Sequence, residues 1–253
     1  MRFITWNLRI GNKKAVYAAD IALAKKPDVI CFQEVSQSVL HHLRKVPGYS
    51  THASYDFLSR DPRKNGYTVT MLRYPVIDEM EIPYIDTACR SILDRIIYRM
   101  LGARIEQHNA IVITYDSPTG PSRVVNMRLS CAMSIRSRLS AFMELITHIP
   151  GGMPVIYCGD YNVVDSPLFT KLTGWLRGFT KFDYRINERQ EFESLFSYLK
   201  CTNIFKGIST SVTKIPILQF DHILVPDTMR VVATEVSVRR YGSDHRMLVA
   251  DIE

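Results

Sequence analysis

The chain has 253 residues, of which 46% are apolar and 23% are charged, and its formal net charge is +7 at pH 7. This composition is typical of a globular protein with a substantial core. No apolar run approaches the roughly 18 residues that a transmembrane helix needs, which argues against a membrane-spanning protein.

The cysteines are odd in number and widely scattered, and most lie in apolar runs. This pattern favours reduced, buried thiols over a disulfide framework or a zinc site. The first predicted strand begins directly after Met1, so we expect no secretory signal and a cytoplasmic location. The five cysteines are Cys31, Cys89, Cys131, Cys158 and Cys201.

The basic charge indicates a polyanionic partner. A positive surface attracts nucleic acid or an anionic membrane, although a merely solvated basic surface remains an alternative. We find no exposed apolar loop and no basic amphipathic helix in the sequence, so we expect nucleic acid as the partner and no stable membrane association.

In the first half of the chain, short apolar strands alternate with helices and then give way to antiparallel strands. Apolar residues that repeat every two residues indicate strands, and those that repeat every 3.6 residues indicate helices. Proline and glycine mark the ends of these elements. Strands are predicted at residues 2–7, 28–34, 49–57, 67–74, 76–82, 111–115 and 123–127, and helices at 13–26, 36–46 and 135–149.

The second half opens with a central strand at residues 154–158 and ends with three more strands. Helices are predicted at 167–177 and 187–200, and strands at 219–225, 229–238 and 246–252. No linker rich in serine, glycine or proline divides the chain. We therefore predict a single domain over residues 1–253, with two packed sheets and helices outside them.

Two polar residues, Asp160 and Asn162, follow the central strand. Because side chains alternate along a strand, these two should face the same side and Tyr161 the opposite side. A turn that only caps the helix starting near Ser166 is the alternative interpretation. Similar polar groups mark other strand ends at Asn7, Gln33–Glu34, Asp221 and Ser243–Asp244–His245. Carboxylates and carboxamides suit Mg²⁺ or Mn²⁺, and a histidine beside an aspartate can serve as a base.

At these positions the chain resembles the endonuclease/exonuclease/phosphatase superfamily, which includes pancreatic-type deoxyribonuclease. The resemblance covers essentially the whole chain, and a weaker similarity runs from Asn65 to Val76. The segments that carry it are Thr5–Arg9, Cys31–Val35, Gly159–Asn162, Phe220–Ile223 and Ser243–His245.

The resemblance implies an α/β fold, a four-layer α/β sandwich in which two mixed sheets pack together between helices. It also implies hydrolysis of phosphate esters with Mg²⁺ or Mn²⁺. Glu34 would be the principal metal ligand, aided by Asn7 and Asp244.

The resemblance also implies roles for the remaining strand ends. Asp160 and Asn162 would position the attacking water and the phosphate. His245, oriented by Asp221, would act as a general base or as an electrostatic clamp on the phosphoryl oxygens.

Two positions distinguish this chain within the superfamily. Many members have Asn-x-His-Leu before the central helix, whereas this chain has Asn126-Met127-Arg128-Leu129. Arg128 can bind a phosphate in a bidentate way but cannot donate a proton at neutral pH; an arginine that only faces solvent is the alternative. Arg9 follows Asn7 by two residues, as in the pancreatic-type nucleases, and favours one metal and an extra phosphate contact.

We predict a metal-dependent phosphodiesterase that acts on nucleic acid, with the phosphate held by Asn7, Arg9, Asn162 and Arg128. Three aromatic residues near the site, Tyr161, Trp175 and Tyr241, would either stack on bases or belong to the core. The alternatives are a phosphatase or phospholipase-type hydrolase of a phosphorylated lipid or small molecule, and a non-catalytic binding module of the same fold.

Overall fold

In the computed structural model, the apolar runs form thirteen strands within the described residues. The structure describes residues 1–59, 61, 65–84, 91–93, 96, 103–105, 108–164, 166–211 and 218–253. In chain order the strands are β1 (Arg2–Asn7), β2 (Val29–Ser36), β3 (Ser50–Ser59), β4 (Gly66–Leu72), β5 (Val76–Tyr84), β6 (Ala103–Ile105), β7 (His108–Ser117), β8 (Gly120–Arg128), β9 (Val155–Asp160), β10 (Cys201–Asn203), β11 (Asp221–Pro226), β12 (Val231–Val236) and β13 (Leu248–Ile252).

These strands make two mixed sheets. The first has the order β12-β13-β1-β2-β4-β3-β6 and the second the order β10-β11-β9-β8-β7-β5. Parallel pairing joins β1 to β2 and β8 to β9, each pair connected through a helix. Antiparallel pairing joins the other neighbours, including the predicted hairpin of β7 and β8.

The amphipathic segments form helices that lie outside the sheets. The helices are α1 (Ala15–Leu23), α2 (Gln37–Leu43), α3 (Ile135–Thr147), α4 (Pro167–Thr173) and α5 (Glu188–Tyr198). Residues of α1 and α2 pack on the first sheet, and residues of α3 and α5 pack on the second. A third cluster, which includes Phe3, Ile113 and Ile156, fills the space between the sheets.

The predicted four-layer α/β sandwich is therefore confirmed. The predicted elements are present with shifted ends: the helix expected at 167–177 is an α-helix only to Thr173 and continues as a 3-10 helix over Gly174–Arg177. The short strands β6 and β10 and a 3-10 helix at Asp183–Arg185 were not predicted. No helix in the described ranges is both long and apolar enough to cross a bilayer.

Four of the cysteines are free thiols in the described ranges. Cys31, Cys158 and Cys201 are buried, and Cys131 is partly exposed. Cys89 lies outside the described residues.

The close approach of β8 and β9 positions one wall of the site. Gly159 has a φ of +147°, and a Cβ there would lie 1.9 Å from the carbonyl oxygen of Met127. Only glycine tolerates this contact without displacing the backbone. The two strands consequently stay in register to their ends, where Arg128 lies opposite Asp160.

Candidate active site

The polar strand ends meet at one edge of the paired sheets. Asn7 at the end of β1 lies opposite Gln33 of β2, and Asp160 at the end of β9 lies opposite both Arg128 and Asp221. Strands from both sheets thus bring residues that are more than 200 positions apart in the sequence to one place, as the strand-end pattern predicts.

Asn7 joins the acidic groups of the two sheets. Its Nδ2 donates to Oε1 of Glu34 at 3.1 Å and to Oδ2 of Asp160 at 2.9 Å. The second Glu34 oxygen, Oε2, accepts from the backbone N–H of Ile10 at 3.0 Å. Each carboxylate is therefore fixed by a donor of the chain, which orients the oxygens before any ligand arrives.

Three site residues have left-handed backbone conformations. The φ angles are 62° at Arg9, 51° at Glu34 and 52° at Asn162. Glu34 also lies where the β2–β4 register shifts between Phe32 and Val35. Such conformations cost about 1–3 kcal/mol each for residues other than glycine and cluster at functional sites. Here the bulge and the left-handed turn aim Glu34 at Asn7.

Asp160 and Asn162 face the same side, as predicted. The backbone N–H of Asn162 donates to Oδ1 of Asp160 at 3.0 Å, and its Nδ2 donates to Oδ2 at 2.9 Å. Tyr161 is fully buried on the other side, against Phe142 and Phe192. The side chain that caps α4 is Ser166, so the alternative of a purely capping turn at Asp160 and Asn162 is wrong.

His245 is paired with Asp221 on the opposite wall. Its Nδ1 lies 2.8 Å from Oδ2 of Asp221, and its carbonyl oxygen accepts from Nε1 of Trp6 at 3.1 Å. The Ser243 hydroxyl donates to the carbonyl oxygen of Asn7 at 2.6 Å and attaches this loop to β1. The predicted orientation of His245 by Asp221 is therefore present in the structure.

The carboxylates control the protonation of His245. Burial favours the neutral imidazole, but the negative charges of Asp221 and Asp160 outweigh it and raise the pKa of His245 to about 10. Burial in turn raises the pKa of Asp160 to about 7, against the opposing effect of the His245 charge. In the protein without a cation, His245 is thus an imidazolium at neutral pH, whereas Asp160 exchanges a proton near neutrality.

We expect the charge of His245 to depend on Asp221. In metal-free protein, nitrogen NMR of the His245 ring should show both nitrogens protonated at pH 7, with loss of the proton near pH 10. This pKa lies above the usual histidine value of about 6.5. Protonated His245 therefore contributes fully to the free energy of unfolding below pH 6.5, and this contribution is lost as the pH rises through 10. Asp221→Asn should lower the midpoint of the titration, and His245→Gln assigns the signal. A neutral His245 at pH 7 in the wild-type protein contradicts this assignment.

Arg128 is held among carboxylates and does not face solvent. Its side chain is only 11% exposed, and its Nε donates to Oε1 of Glu34 at 3.1 Å. Its Nη1 donates to Oδ1 of Asp56 at 3.2 Å, and Oδ2 of Asp160 lies 3.9 Å from Nε. The alternative of a surface arginine is therefore wrong.

Asp56 also belongs to the site, although it was not predicted from the sequence. It is almost fully buried and contacts Arg128 from β3. The only signal in the sequence is a charged residue in an alternating strand, between Tyr55 and Phe57. That signal is weak, because exposed strand positions are commonly charged as well.

The remaining residues predicted for the site lie outside its network of carboxylates. Arg9 is exposed, and within the described residues its guanidinium makes no hydrogen bond or ion pair, so its phosphate contact stays a prediction. Gln33 is buried and donates to Oδ1 of Asn126 at 2.7 Å, which connects the two sheets. Tyr161 belongs to the core, Tyr241 packs on Trp6, and Trp175 is 58% exposed.

Two separate groups of residues at the site could hold a cation. Ligand atoms of Asp160, Asp221 and His245 all lie within 4.8 Å of one another. The predicted group of Glu34, Asn7 and Asp244 is joined in part, through the Asn7–Glu34 hydrogen bond. One oxygen each of Asp244 and Asp221 is buried and finds no hydrogen-bond partner in the described part of the chain. Unpaired buried carboxylate oxygens among other oxygen donors fit Mg²⁺ or Mn²⁺.

Comparisons with known proteins place the chain in a family. The sequence model of the Endonuclease/Exonuclease/phosphatase family matches residues 4–245. None of the curated proteins matches the chain.

Solved structures with the same fold come from several organisms. A protein of Beutenbergia cavernae described as endonuclease/exonuclease/phosphatase has a TM-score of 0.76 at 17% identity over 100% of this chain and 71% of that one. Mannosyl-6-phosphatase from Bacteroides thetaiotaomicron has a TM-score of 0.65 at 14% identity over 100% and 99% of the two chains. Humanized D. rerio TDP2 has a TM-score of 0.65 at 15% identity over 100% and 98%.

Proposed function

Because the chain belongs to the endonuclease/exonuclease/phosphatase family, whose members hydrolyse phosphate esters, we propose that it is a Mg²⁺- or Mn²⁺-dependent phosphodiesterase acting on nucleic acid. The observation that carries the proposal is the convergence of the Glu34–Asn7–Asp160 hydrogen bonds with the Asp221–His245 pair. The net charge of +7 supports a polyanionic substrate.

In this proposal each side chain has one role in the displacement at phosphorus. Asp160, whose pKa is raised to about 7 by burial, accepts a proton from the attacking water. The water oxygen forms the new bond to phosphorus as the bond to the leaving oxygen breaks. Asn162 orients Asp160 through the hydrogen bond of its Nδ2.

Charge stabilisation in the transition state is divided between protein groups and the cation. His245, held by Asp221, presents its Nε2–H to a phosphoryl oxygen, which is the role of a clamp and not of a base in the cation-free protein. Glu34, Asn7 and Asp244 would hold the cation. A bound divalent ion supplies Lewis-acid stabilisation of the phosphoryl oxygens.

Arg128 takes the place of the histidine found in many family members, and we propose that it clamps the phosphate. Its guanidinium stays protonated and is fixed by Glu34 and Asp56 at the end of β8. Arg128→Ala is expected to reduce turnover by about 10²–10³-fold, as for the loss of one fixed transition-state donor. Arg128→His should restore little activity, even on a nitrophenyl phosphodiester, whose leaving group needs no proton.

Two comparisons complete the test of Arg128. Arg239→Ala removes an exposed arginine and should leave turnover unchanged. If Arg128→His instead preserves activity, and does so most on substrates with poor leaving groups, then the position is an acid site and the clamp assignment is wrong.

A second candidate is a phosphatase or phospholipase-type hydrolase of a phosphorylated small molecule or lipid. Its support is that mannosyl-6-phosphatase shares the fold over the full length of this chain. The same proton acceptor and clamps serve a phosphomonoester, so the substrate decides between the candidates.

The experiment for the proposed function compares substrates directly. Purified protein is incubated with plasmid, single-stranded DNA, RNA, abasic DNA and inositol phosphates, each with and without Mg²⁺. We expect cleavage of at least one nucleic acid that requires Mg²⁺. Turnover of inositol phosphates alone would select the second candidate, and no turnover of any substrate would favour a non-catalytic binding module.

A further inference from the structure

The segment that follows the site has an exposed apolar face. Helix α4 has no buried residue, although its sequence contains Leu168, Phe169 and Leu172. Leu168 is 69% exposed, Leu172 is 65% exposed and Trp175, in the next turn, is 58% exposed. Exposed large apolar residues are ordinary when isolated, but a contiguous group marks an interaction surface.

Two exposed aromatic residues follow in the chain. The ring of Tyr184 lies 3.0 Å from the position that a Cβ of Gly174 would occupy, beside Trp175, and the Arg136 guanidinium lies over the ring of Phe182 at 4.9 Å. Phe182 is 57% exposed and Tyr184 is 39% exposed. We call the face formed by these residues and α4 the 168–184 surface. Ser91 lies close to Gly178: a Cβ built on Gly178 would lie 3.4 Å from the Cβ of Ser91. Ile92, the next residue after Ser91, is 47% exposed.

Basic residues are interspersed in the surface. Lys171, Lys181 and Arg185 are exposed, whereas the acidic Asp183 is buried, with its carboxylate bonded to Arg136 and Thr180. Lysine and arginine beside leucine and tryptophan are the composition of segments that lie in the interface of an anionic bilayer.

A buried positive charge lies under this face. Arg177 is 3% exposed, and its guanidinium stacks on the rings of Phe179 and Phe169, 4.4 Å and 5.9 Å from their centroids. Among the residues that the structure describes, none of its three guanidinium nitrogens has a hydrogen-bond partner. Within the described residues its charge is thus not neutralised by a hydrogen-bonded carboxylate, and it adds to the positive potential of the surface.

We propose that the 168–184 surface docks the protein onto an anionic lipid bilayer. Leu168, Leu172 and Trp175 enter the interfacial region, and Lys171 and Lys181 contact the anionic headgroups. The sequence indicates no exposed apolar loop, and this is the basis for expecting no stable membrane association. In the structure, however, Leu168, Leu172 and Trp175 are exposed. The proposal concerns localisation and is independent of the substrate that the site hydrolyses.

Hydrogen bonds of Arg138 join the site to the segment that follows the docking surface. Arg138 donates from Nη1 to the carbonyl oxygen of Asn162 at 3.0 Å and from Nε to Oε1 of Glu188 at 2.7 Å. Glu188 begins α5, directly after the 168–184 surface. Arg138 thus links the backbone of Asn162 to the helix that follows the 168–184 surface.

Tryptophan fluorescence reports the docking directly. The chain has two tryptophans, and Trp6 is fully buried, so a change in emission on vesicle addition reports Trp175. We expect a blue shift with vesicles of phosphatidylcholine and phosphatidylserine, a smaller one with phosphatidylcholine alone, and a loss of the difference at high salt. No shift and no co-sedimentation with either vesicle would overturn the proposal.

Paired variants locate the binding surface. The double variant Leu168→Ser with Leu172→Ser should weaken co-sedimentation by about tenfold or more, because two exposed apolar side chains no longer enter the bilayer. Lys171→Gln with Lys181→Gln should weaken binding to the anionic vesicles only. The control, Val232→Ser with Val238→Ser, changes two residues that are 51% and 89% exposed, on β12 and in the segment after it, and should bind as wild type.

Two results would contradict the assignment of this surface. Equal vesicle binding by the double leucine variant would place the contact elsewhere. A wild-type dimer in sedimentation velocity that the same variant converts to a monomer, without vesicle binding, would make the surface a contact between two copies of the chain. His245→Ala should still bind vesicles, so a failure of the proposed hydrolysis and a failure of docking are distinguishable.

Discussion

Asp160→Asn and His245→Ala are each expected to lower turnover by about 10²–10⁴-fold, the range for losing a positioned acid, base or charge-stabilising group. Asp160→Asn keeps the size of the side chain but removes the atom that accepts the proton of the attacking water. His245→Ala removes the cationic donor that Asp221 holds. Steady-state rates with the best substrate from the substrate comparison measure both effects.

The control for these variants separates catalysis from folding. Asp116→Asn makes the same chemical change at an exposed position of β7 and should leave the rate unchanged. Circular dichroism and thermal unfolding show whether each variant is folded. A folded Asp160→Asn or His245→Ala variant with a near wild-type rate would mean that the site is assigned wrongly.

Removal of divalent cations is expected to abolish activity. Glu34, Asp160, Asp221 and Asp244 place four carboxyl groups where a substrate phosphate must bind, and without a cation their charges repel it. Dialysis against excess chelator should reduce the rate to background, and added Mg²⁺ or Mn²⁺ should restore it. Ca²⁺ should restore little, because its longer and more flexible coordination suits an octahedral arrangement poorly.

Metal binding can also be measured apart from activity. Calorimetric titration of the chelated protein with Mn²⁺ should show binding that Asp244→Asn weakens, since one Asp244 oxygen is buried without a hydrogen-bond partner. Full hydrolysis in excess chelator would contradict the requirement for a cation.

The strand-end pattern predicted much of the site because it reflects sheet geometry. Asn7, Asp160 and Asp221 end or begin strands, so their meeting follows from the pairing of β1, β9 and β11 with their neighbours. The residue pattern likewise predicted where α1, α3 and α5 lie along the chain. These features depend on local pattern and regular geometry, which a sequence carries directly.

Other features depend on tertiary contacts that no local pattern shows. The left-handed backbone of Glu34 arises at a bulge against β4, and nothing in Gln33–Glu34 indicates it. Asp56 becomes a partner of Arg128 only when β3 and β8 of different sheets are brought together. The exposure of Leu168, Phe169 and Leu172 in α4 was not predicted either, because a leucine and phenylalanine pattern is the same for a buried and an exposed face.

The most direct test of the central claim is the hydrolysis of bis(4-nitrophenyl) phosphate with Mg²⁺ by the wild-type protein and by Glu34→Gln. This substrate needs no recognition beyond the phosphodiester and no protonation of its leaving group, so it tests the metal-dependent site alone. We expect Mg²⁺-dependent release of nitrophenol by the wild type and a loss of about 10²-fold or more in Glu34→Gln. Equal rates for the two proteins, or no release by a folded wild-type protein that binds Mn²⁺, would show that this is not a metal-dependent phosphodiesterase site.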